Sequence, residues 1–352
     1  MALDVGIIGA GNIAESRHLP TYKSDSRTNI SAIYDVDKKK SNRVADQYDA
    51  YTSKSAEDLY QRVDAVSICT PPSEHCRQTV EALRNDCHVI TEKPMAMSSS
   101  EAQKMVDTAN KEGKMLSVVH NFKFMSEVRK ARAMVKNGDI GDVERVNAVL
   151  MKREGQSKEY VQRAKSSGDI GIKYWDESPH MIYLVKSFMD DIELSAAEVC
   201  ENQSNDGYKR IKARFSGNSL SEASISFLWD SPVTEWWIIV TGTEGILFID
   251  IYRNIMVNLS RESEHTAKSV MYVLLDTCQQ LLFGTAFSGV KYIKDRFVNG
   301  YKIPDAGFSH QIQRFVDAIE RGHELPVTGV DGKAVLDHMI EIQEMSDISI
   351  NN

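Results

Sequence analysis

The chain lacks a CxxC pair, lacks any His/Cys cluster at zinc-ligand spacing, and lacks a surplus of basic residues. Its 5 cysteines, Cys69, Cys76, Cys87, Cys200 and Cys278, are scattered and odd in number. That argues against a disulfide framework and for reduced thiols. The missing cluster weighs against a metal and against a zinc-dependent dehydrogenase. With 42 Lys+Arg against 50 Asp+Glu the net charge is −8, so neither nucleic acid nor an anionic membrane is an expected partner and any anion site must be local. The start, Met1-Ala2-Leu3-Asp4, has no basic region followed by an apolar run of the kind a secretory signal needs. The most apolar helical stretch, around Val270–Val290, contains Asp276 and many polar residues, so it does not read as a membrane span. A cytoplasmic protein is expected. No internal repeat or low-complexity tract is visible.

What is present is ordinary for an enzyme: 42% hydrophobic and 26% charged residues in 352 positions, long for one core and natural for two domains. The first is expected over residues 1–122. Val5-Gly6-Ile7-Ile8 reads as a strand that runs into Gly9-Ala10-Gly11-Asn12-Ile13-Ala14, a G-x-G-x-x-A turn at the opening of a helix. Gly9 permits the tight turn, Gly11 lets the backbone approach a pyrophosphate, and Ala14 lets the helix pack on the strand. The helix amino end offers free N–H groups to phosphates. A second strand, Asn29–Tyr34, ends in Asp35, 24 positions beyond Gly11 and near the ~20 expected for the acid that hydrogen-bonds an adenosine ribose. Asp35 repels a 2′-phosphate, which favours NAD; Lys38, Lys39 and Lys40 could admit NADP, but are more simply solvated.

Helix and strand then alternate. Ala65–Cys69 reads as a buried strand ending at Thr70-Pro71-Pro72, followed by a helix with His75 in its first turn. Val89-Ile90-Thr91 leads into Glu92-Lys93-Pro94, which places a lysine at a strand's carboxyl end, where ligands sit in an open parallel sheet. Taken alone, such a pair also suits a solvated surface. Met115–His120, leading to Asn121, is a further strand. Repeated βα units imply a doubly wound parallel sheet, a Rossmann-type α/β domain.

The second domain, expected over 123–352, changes character. After a helix Ser126–Asn137 and a strand Val143–Met151, long period-2 runs from Glu193 to Leu259 imply a large open, mainly antiparallel sheet in an α+β domain. Trp236 and Trp237 must point to opposite faces, one to the core and one to a possible interface. Helices close the chain at Ser309–Arg321 and Asp331–Met345. Before the sheet lie Lys152, Arg153, Lys158, Arg163 and Lys165, then Trp175-Asp176-Glu177-Ser178-Pro179-His180 leading into an apolar helix Met181–Met189. Helical geometry across that join puts Asp176 and His180 on one face at i and i+4. A carboxylate and an imidazole so placed suit general acid–base work; the same spacing suits a capping Asp176 and a satisfied core His180.

Together, Gly9–Ala14, Thr70-Pro71-Pro72 with His75, Glu92-Lys93-Pro94, Val119–Phe124, Gly138-Asp139-Ile140-Gly141, Asp176 with His180, and Pro326–Gly332 resemble the glucose-fructose oxidoreductase / inositol dehydrogenase / rhizopine-catabolism (Gfo/Idh/MocA) family of NAD(P)-dependent sugar and polyol oxidoreductases. The resemblance implies a Rossmann domain joined to a domain with an open sheet that forms homodimer or homotetramer interfaces. It implies NAD held by Gly9, Gly11, Asn12, Ile13, Asp35, Thr70, Pro71, His75, Glu92, Lys93 and Asn121. Lys93, Asp176 and His180 match the family's catalytic group, acting on a ring secondary alcohol of a sugar or cyclitol such as inositol. Lys152, Arg153, Arg163 and Trp175 join them as substrate contacts, and the basic set motivates a sugar phosphate. Trp175 and Glu177-Ser178-Pro179 depart from the family's usual small apolar linker, and the helical stretch from His265 to Val298 is longer than in many members. Two other classes share the fold: an NAD-assisted glycosidase and a non-catalytic dinucleotide-binding regulator.

Overall fold

The computed structural model describes residues 2–153, 171–201, 208–260, 266–294, 297 and 307–346. Compactness divides the chain into two units, Met1–Phe124 with Lys294–Asp337, and Met125–Ile293 with His338–Asn352.

The first unit is built on six parallel strands, β1 (Leu3–Ile8), β2 (Thr28–Tyr34), β3 (Tyr51–Thr52), β4 (Ala65–Ile68), β5 (His88–Thr91) and β6 (Leu116–Val118). Their order is β3-β2-β1-β4-β5-β6, with the topological switch between β1 and β4. That is the dinucleotide-binding order, in which ligands meet the carboxyl ends of the strands at the switch. Val5, Ile7, Ala65, Val66, Ile68, Val89 and Ile90 are buried, as strands covered on both faces require. The connecting helices are α1 (Leu19–Ser24), α2 (Lys38–Tyr48), α3 (Ala56–Tyr60), α4 (Pro72–Arg84) and α5 (Ser99–Glu112). Caps start them where the sequence places Asp or Ser: Asp37 accepts from the Lys39 and Lys40 N–H groups, and Ser98 from Glu101 N–H. A π-helical turn, Ala14–His18, leads into α1.

The segment Lys294–Asp337 groups with this unit, although the sequence boundary at 122/123 put it with the second domain. The reason is packing. Helix Phe308–Arg321 presents Phe308, Ile312, Phe315 and Val316 to a core that also holds Val5, Ile7, Ile33 and Ile90. No local pattern in an amphipathic helix says which core its apolar face will join.

The second unit holds seven strands, β7 (Val143–Arg153), β8 (Ile192–Glu201), β9 (Tyr208–Gly217), β10 (Glu222–Ser231), β11 (Glu235–Gly242), β12 (Gly245–Asp250) and β13 (Ile255–Ser260), in the order β13-β12-β11-β7-β10-β9-β8. Every neighbouring pair is antiparallel except β7 with β10, which is parallel. One face is dry: Val146, Ala148, Leu150, Ile225, Phe227, Trp236, Ile238 and Val240 are all buried. Trp236 belongs to it at 2% exposure, while Trp237 on the other face is half-buried with its ring 5.9 Å from Phe248. Helices α6 (Ser126–Asn137) and α7 (Gly171–Lys186) belong to this unit, and α7 packs on β7 and β10. The expected helix began at Met181. It begins at Gly171 instead, with Pro179 inside it; a proline removes one helical hydrogen bond, and burial of Met181–Val185 favours keeping the helix whole. Helix α8 is Ala267–Ile293, α9 is Phe308–Arg321, and α10 is Gly329–Met345.

Candidate active site

In the first unit the glycine-rich turn has the shape its residues dictate. Gly9 sits at φ +91°, and a Cβ there would lie 2.8 Å from the Cys69 backbone, so only glycine fits without strain. A Cβ on Gly11 would meet nothing within 4 Å. The space over Gly11 is thus open to a ligand that must touch the backbone. Asp35 folds back under the turn: its Oδ2 accepts from Ala10 N–H at 2.8 Å and its Oδ1 from Asp37 N–H at 2.9 Å. The ribose-side acid therefore also fixes the phosphate-side turn. Asn12 is exposed, Ile13 is half-buried, and Ala14 is buried against the core. These residues fit a dinucleotide.

Thr70 and Pro71 follow β4; Thr70 Oγ1 donates to Gln78 Oε1 at 2.6 Å and Pro71 is exposed. His75 is enclosed. Its Nε2 lies 2.8 Å from the Thr70 carbonyl and its Nδ1 2.8 Å from the Pro94 carbonyl, at 0% exposure. Burial holds its pKa below the usual histidine value, and a neutral ring has one N–H to give. His75 thus sits buried between the loop after β4 and the loop after β5, its one N–H donating to one of these two carbonyls.

Glu92 and Lys93 leave β5 together and part at once. Lys93 is half-buried and Glu92 is 6% exposed. Glu92 Oε1 meets His18 Nε2 at 2.9 Å, and its Oε2 accepts from Lys93 N–H at 3.3 Å. His18 Nδ1 lies 3.2 Å from Ser67 Oγ, which lies 2.7 Å from Tyr22 Oη. Burial pushes the His18 ring down, but Cys69 and Glu92 outweigh it and raise the pKa to about 10. The setting thus favours the charged form of the ring, which lies against the Glu92 carboxyl group. Glu92, expected as a cofactor-side or lysine-orienting carboxylate, is buried and anchors the strand end that carries Lys93. His18, Ser67 and Tyr22 escape a sequence reading because each is unremarkable in its own segment; they meet only through the parallel register.

Asn121 opens a 3₁₀ turn, Asn121–Phe124, at 2% exposure. Next to it, His120 N–H donates to Gln311 Oε1 at 2.9 Å, and Gln311 Nε2 donates to the Val118 carbonyl at 2.8 Å. The Pro326–Gly332 run lies against the same strand: Ser117 Oγ donates to the Val327 carbonyl at 2.7 Å. A Cβ on Gly332 would collide with Val118 at 2.4 Å.

In the second unit α7 brings Trp175, Asp176, Glu177 and His180 onto one helix. Asp176 is half-buried and His180 is 8% exposed. His180 Nδ1 pairs with Tyr183 Oη at 2.7 Å, and its ring lies 5.9 Å from that of Trp236. Trp175 Nε1 is buried and finds no hydrogen-bond partner among the described residues. Lys152 is ion-paired with Glu177. The lysine expected to meet substrate is thus occupied within the protein. Arg153 is exposed. Arg163, Lys158 and Lys165 lie outside the described residues.

Residues 3–120 match the oxidoreductase family with an NAD-binding Rossmann fold. The chain is 30% identical over 189 residues to D-glucoside 3-dehydrogenase of Escherichia coli, covering 51% of this chain and 54% of the relative. It is 25% identical over 187 residues to glucose-6-phosphate 3-dehydrogenase of Bacillus subtilis, covering 51% and 52%. The chain spans about half the length of these curated relatives. Among solved structures it is similar to the WlbA dehydrogenase of Bordetella pertussis in complex with NADH and UDP-GlcNAcA, with TM-score 0.77 and 16% identity, covering 99% and 98% of the two chains. At that identity the likeness concerns the fold alone. Residues 3–120 thus match the NAD-binding oxidoreductase family that the sequence motifs resemble, the glucose-fructose oxidoreductase / inositol dehydrogenase / rhizopine-catabolism family.

Proposed function

We propose that this protein is an NAD-dependent dehydrogenase that oxidises a ring secondary alcohol of a sugar or cyclitol. The observation that carries the reading is a half-buried lysine at the carboxyl end of β5, held there by a buried Glu92–His18 pair, in the sheet whose first turn is open over Gly11. The turn Gly9–Ile13 would hold the pyrophosphate, Asp35 the ribose, and Thr70, Pro71 and Asn121 the approach to the nicotinamide. When bound, NAD supplies the acceptor for the hydride that leaves the alcohol carbon.

The chain's own residues handle position and protons. Lys93 donates to the substrate hydroxyl oxygen and polarises it. His180, its Nδ1 held by Tyr183 Oη, takes the hydroxyl proton. Asp176, one helical turn earlier, orients the ring or the substrate. Trp175 supplies an apolar wall with an N–H to offer. The similarity to sugar 3-dehydrogenases supports a pyranose ring as substrate. The engagement of Lys152 by Glu177 favours an unphosphorylated ring over a hexose phosphate. Assembly through the outer face of the second sheet is part of the proposal, since Trp237, Ile239 and Phe248 are only half-buried there.

A panel of free sugars, cyclitols, glycosides and 6-phosphorylated hexoses, followed by NADH absorbance with NAD and with NADP, tests the reading. Turnover of one ring class with NAD supports it. Glycone release with no net change in NADH would assign an NAD-assisted glycosidase, and NADH binding with no turnover of any member would leave a dinucleotide-binding regulator.

A further inference from the structure

Helix α7 crosses the dry face of its sheet obliquely, and three side chains spaced by about one turn mark the path. Tyr174 meets Phe227 on β10 with ring centroids 6.1 Å apart, Glu177 is ion-paired with Lys152 on β7, and the His180 ring lies 5.9 Å from that of Trp236 on β11. The middle contact differs in kind from the two beside it. Lys152 continues the row Val146, Ala148 and Leu150, all buried, so the pleat carries its side chain to the dry face. Glu177 is 7% exposed while Lys152 is half-buried, so the pair reaches solvent by its ammonium end.

The pair is incompletely satisfied. An ammonium has three N–H groups and a carboxylate about four acceptor positions, yet the contact between them is the one hydrogen bond that either side chain makes among the described residues. Trp229 follows Phe227 on the inward face of β10 as Lys152 follows Leu150 on β7, and Phe227 and Leu150 are register partners. Trp229 is stacked on Phe227 at 5.4 Å and is 7% exposed. Its Nε1 has no hydrogen-bond partner among the described residues, and neither has Nε1 of Trp175, two positions before Glu177. Buried donors and acceptors left open are costly unless something else fills them. Charges on the far side of Trp236 cancel in pairs too, since Glu235 and Asp250 are both held by Arg253. Lys152, Glu177, Trp229 and Trp175 thus leave open a set of donors and acceptors that together carry no net charge.

We propose that Glu177 is a specificity-determining residue: by neutralising Lys152 it makes this end of the second unit a subsite for an uncharged polyhydroxylated ring and closes it to 6-phosphates and uronates. The inference rests on the sugar reading above and states which members of that class the site takes. A neutral diol can accept from Lys152 and donate to Glu177 while the ion pair stays whole. A phosphate or carboxylate has to displace Glu177, which leaves a buried carboxylate against a second anion. An ammonium on the ring has to displace Lys152, with the converse cost. The pair rejects both signs, so discrimination comes from the penalty on the wrong partner rather than from added contacts to the right one.

Calorimetric binding of three matched rings to the NADH-loaded chain, alongside turnover with NAD, tests the proposal: methyl glucoside, its 6-carboxylate (methyl glucuronide) and its 6-amino-6-deoxy analogue. Wild type should bind the neutral ring at least about ten-fold more tightly than either charged one. Glu177→Gln strands the Lys152 ammonium and should turn the preference to the glucuronide. Lys152→Met strands the Glu177 carboxylate and should turn it to the amino sugar. Each variant stands in for the other if one does not fold, which circular dichroism and NADH binding report, and the double variant should return to the neutral ring. A wild type that binds the glucuronide as well as the glucoside, or a folded single variant that keeps the wild-type ranking, overturns the proposal. Inverted rankings with no hydride transfer to NAD in any case would uphold the role of Glu177 and sink the dehydrogenase reading, whereas no binding of any ring sinks both.

Discussion

His18 Nε2 lies 2.9 Å from Glu92 Oε1, with His18 at 0% and Glu92 at 6% exposure. The contact ties the helix after the glycine-rich turn to the strand end that presents Lys93. Removing one member of a buried charged pair leaves the other uncompensated, at a cost of about 3–5 kcal/mol. Glu92→Gln should therefore lower stability by that order in urea unfolding and bring the His18 ring pKa down, read from its proton resonances. Retained stability with an unmoved pKa would show that Glu92 does not hold the charge.

The same pair sets an alkaline limit. The His18 pKa is raised to about 10 in the folded chain, above the ~6.5 of an unfolded histidine. The folded state thus binds a proton that the unfolded state has released, so its contribution is complete below about 6.5 and is lost as pH rises to about 10. Cys69, raised by burial, acts in the same direction higher in the range. Urea midpoints should fall between about pH 7 and 10 in the wild type, and less steeply in His18→Asn. Equal slopes would exclude His18 as the source.

His120 sets the opposite limit. Burial, with Lys123 nearby, lowers its pKa to about 3, so the folded chain holds it neutral where the unfolded chain would protonate it. Its contribution is present above about 6.5 and is lost as pH falls towards 3. His120→Gln should flatten that acid limb. The substitution spares the bond to Gln311, which uses the His120 backbone N–H, so a loss of fold is not expected to obscure the result.

The parallel sheet, its order and the glycine-rich turn were legible because they are local: a strand, a turn that tolerates φ +91° at Gly9, and a helix, repeated. The antiparallel sheet was legible from period-2 burial, as in β11, where Trp236, Ile238 and Val240 are buried and Trp237 and Ile239 less so. What the sequence concealed depends on distant partners. Glu92 and His75 look like ligand groups beside Lys93 and Thr70, yet each is consumed by a contact that the fold creates, Glu92 with a residue 74 positions earlier and His75 with the Pro94 carbonyl. Lys152 is likewise taken by Glu177. The start of α7 at Gly171 was concealed for another reason, since Pro179 imitates a helix boundary and tertiary burial overrides it.

Asp35 has two tasks, which predicts a mixed phenotype. Its carboxylate would face the ribose while accepting from Ala10 N–H at 2.8 Å. Asp35→Ser removes the charge that repels a 2′-phosphate and shortens the brace under the turn. The NAD/NADP preference in kcat/KM should shift towards NADP by about ten-fold or more, on the ~1.4 kcal/mol scale of one hydrogen bond, while NAD binding itself weakens. An unchanged preference would mean that Asp35 only braces the turn.

Lys93 and His180 carry the chemistry in the proposed reaction, and their substitutions should separate from one another. Lys93→Met keeps the length of the side chain and leaves the Glu92–His18 anchor beneath it intact, so the fold and NADH binding should change little. Turnover should fall about a hundred- to ten-thousand-fold, the scale on which a positioned proton donor contributes. His180→Asn should give a loss of similar order together with the disappearance of the acidic limb of the kcat/KM profile, because it removes the group that must be neutral to accept the hydroxyl proton. Tyr183→Phe deletes the 2.7 Å partner of His180 Nδ1 and leaves the ring in place. It should shift that limb without abolishing turnover, which separates a positioning hydroxyl from a catalytic one. A Lys93→Met variant with wild-type turnover would refute the assignment of Lys93, whatever the substrate proves to be.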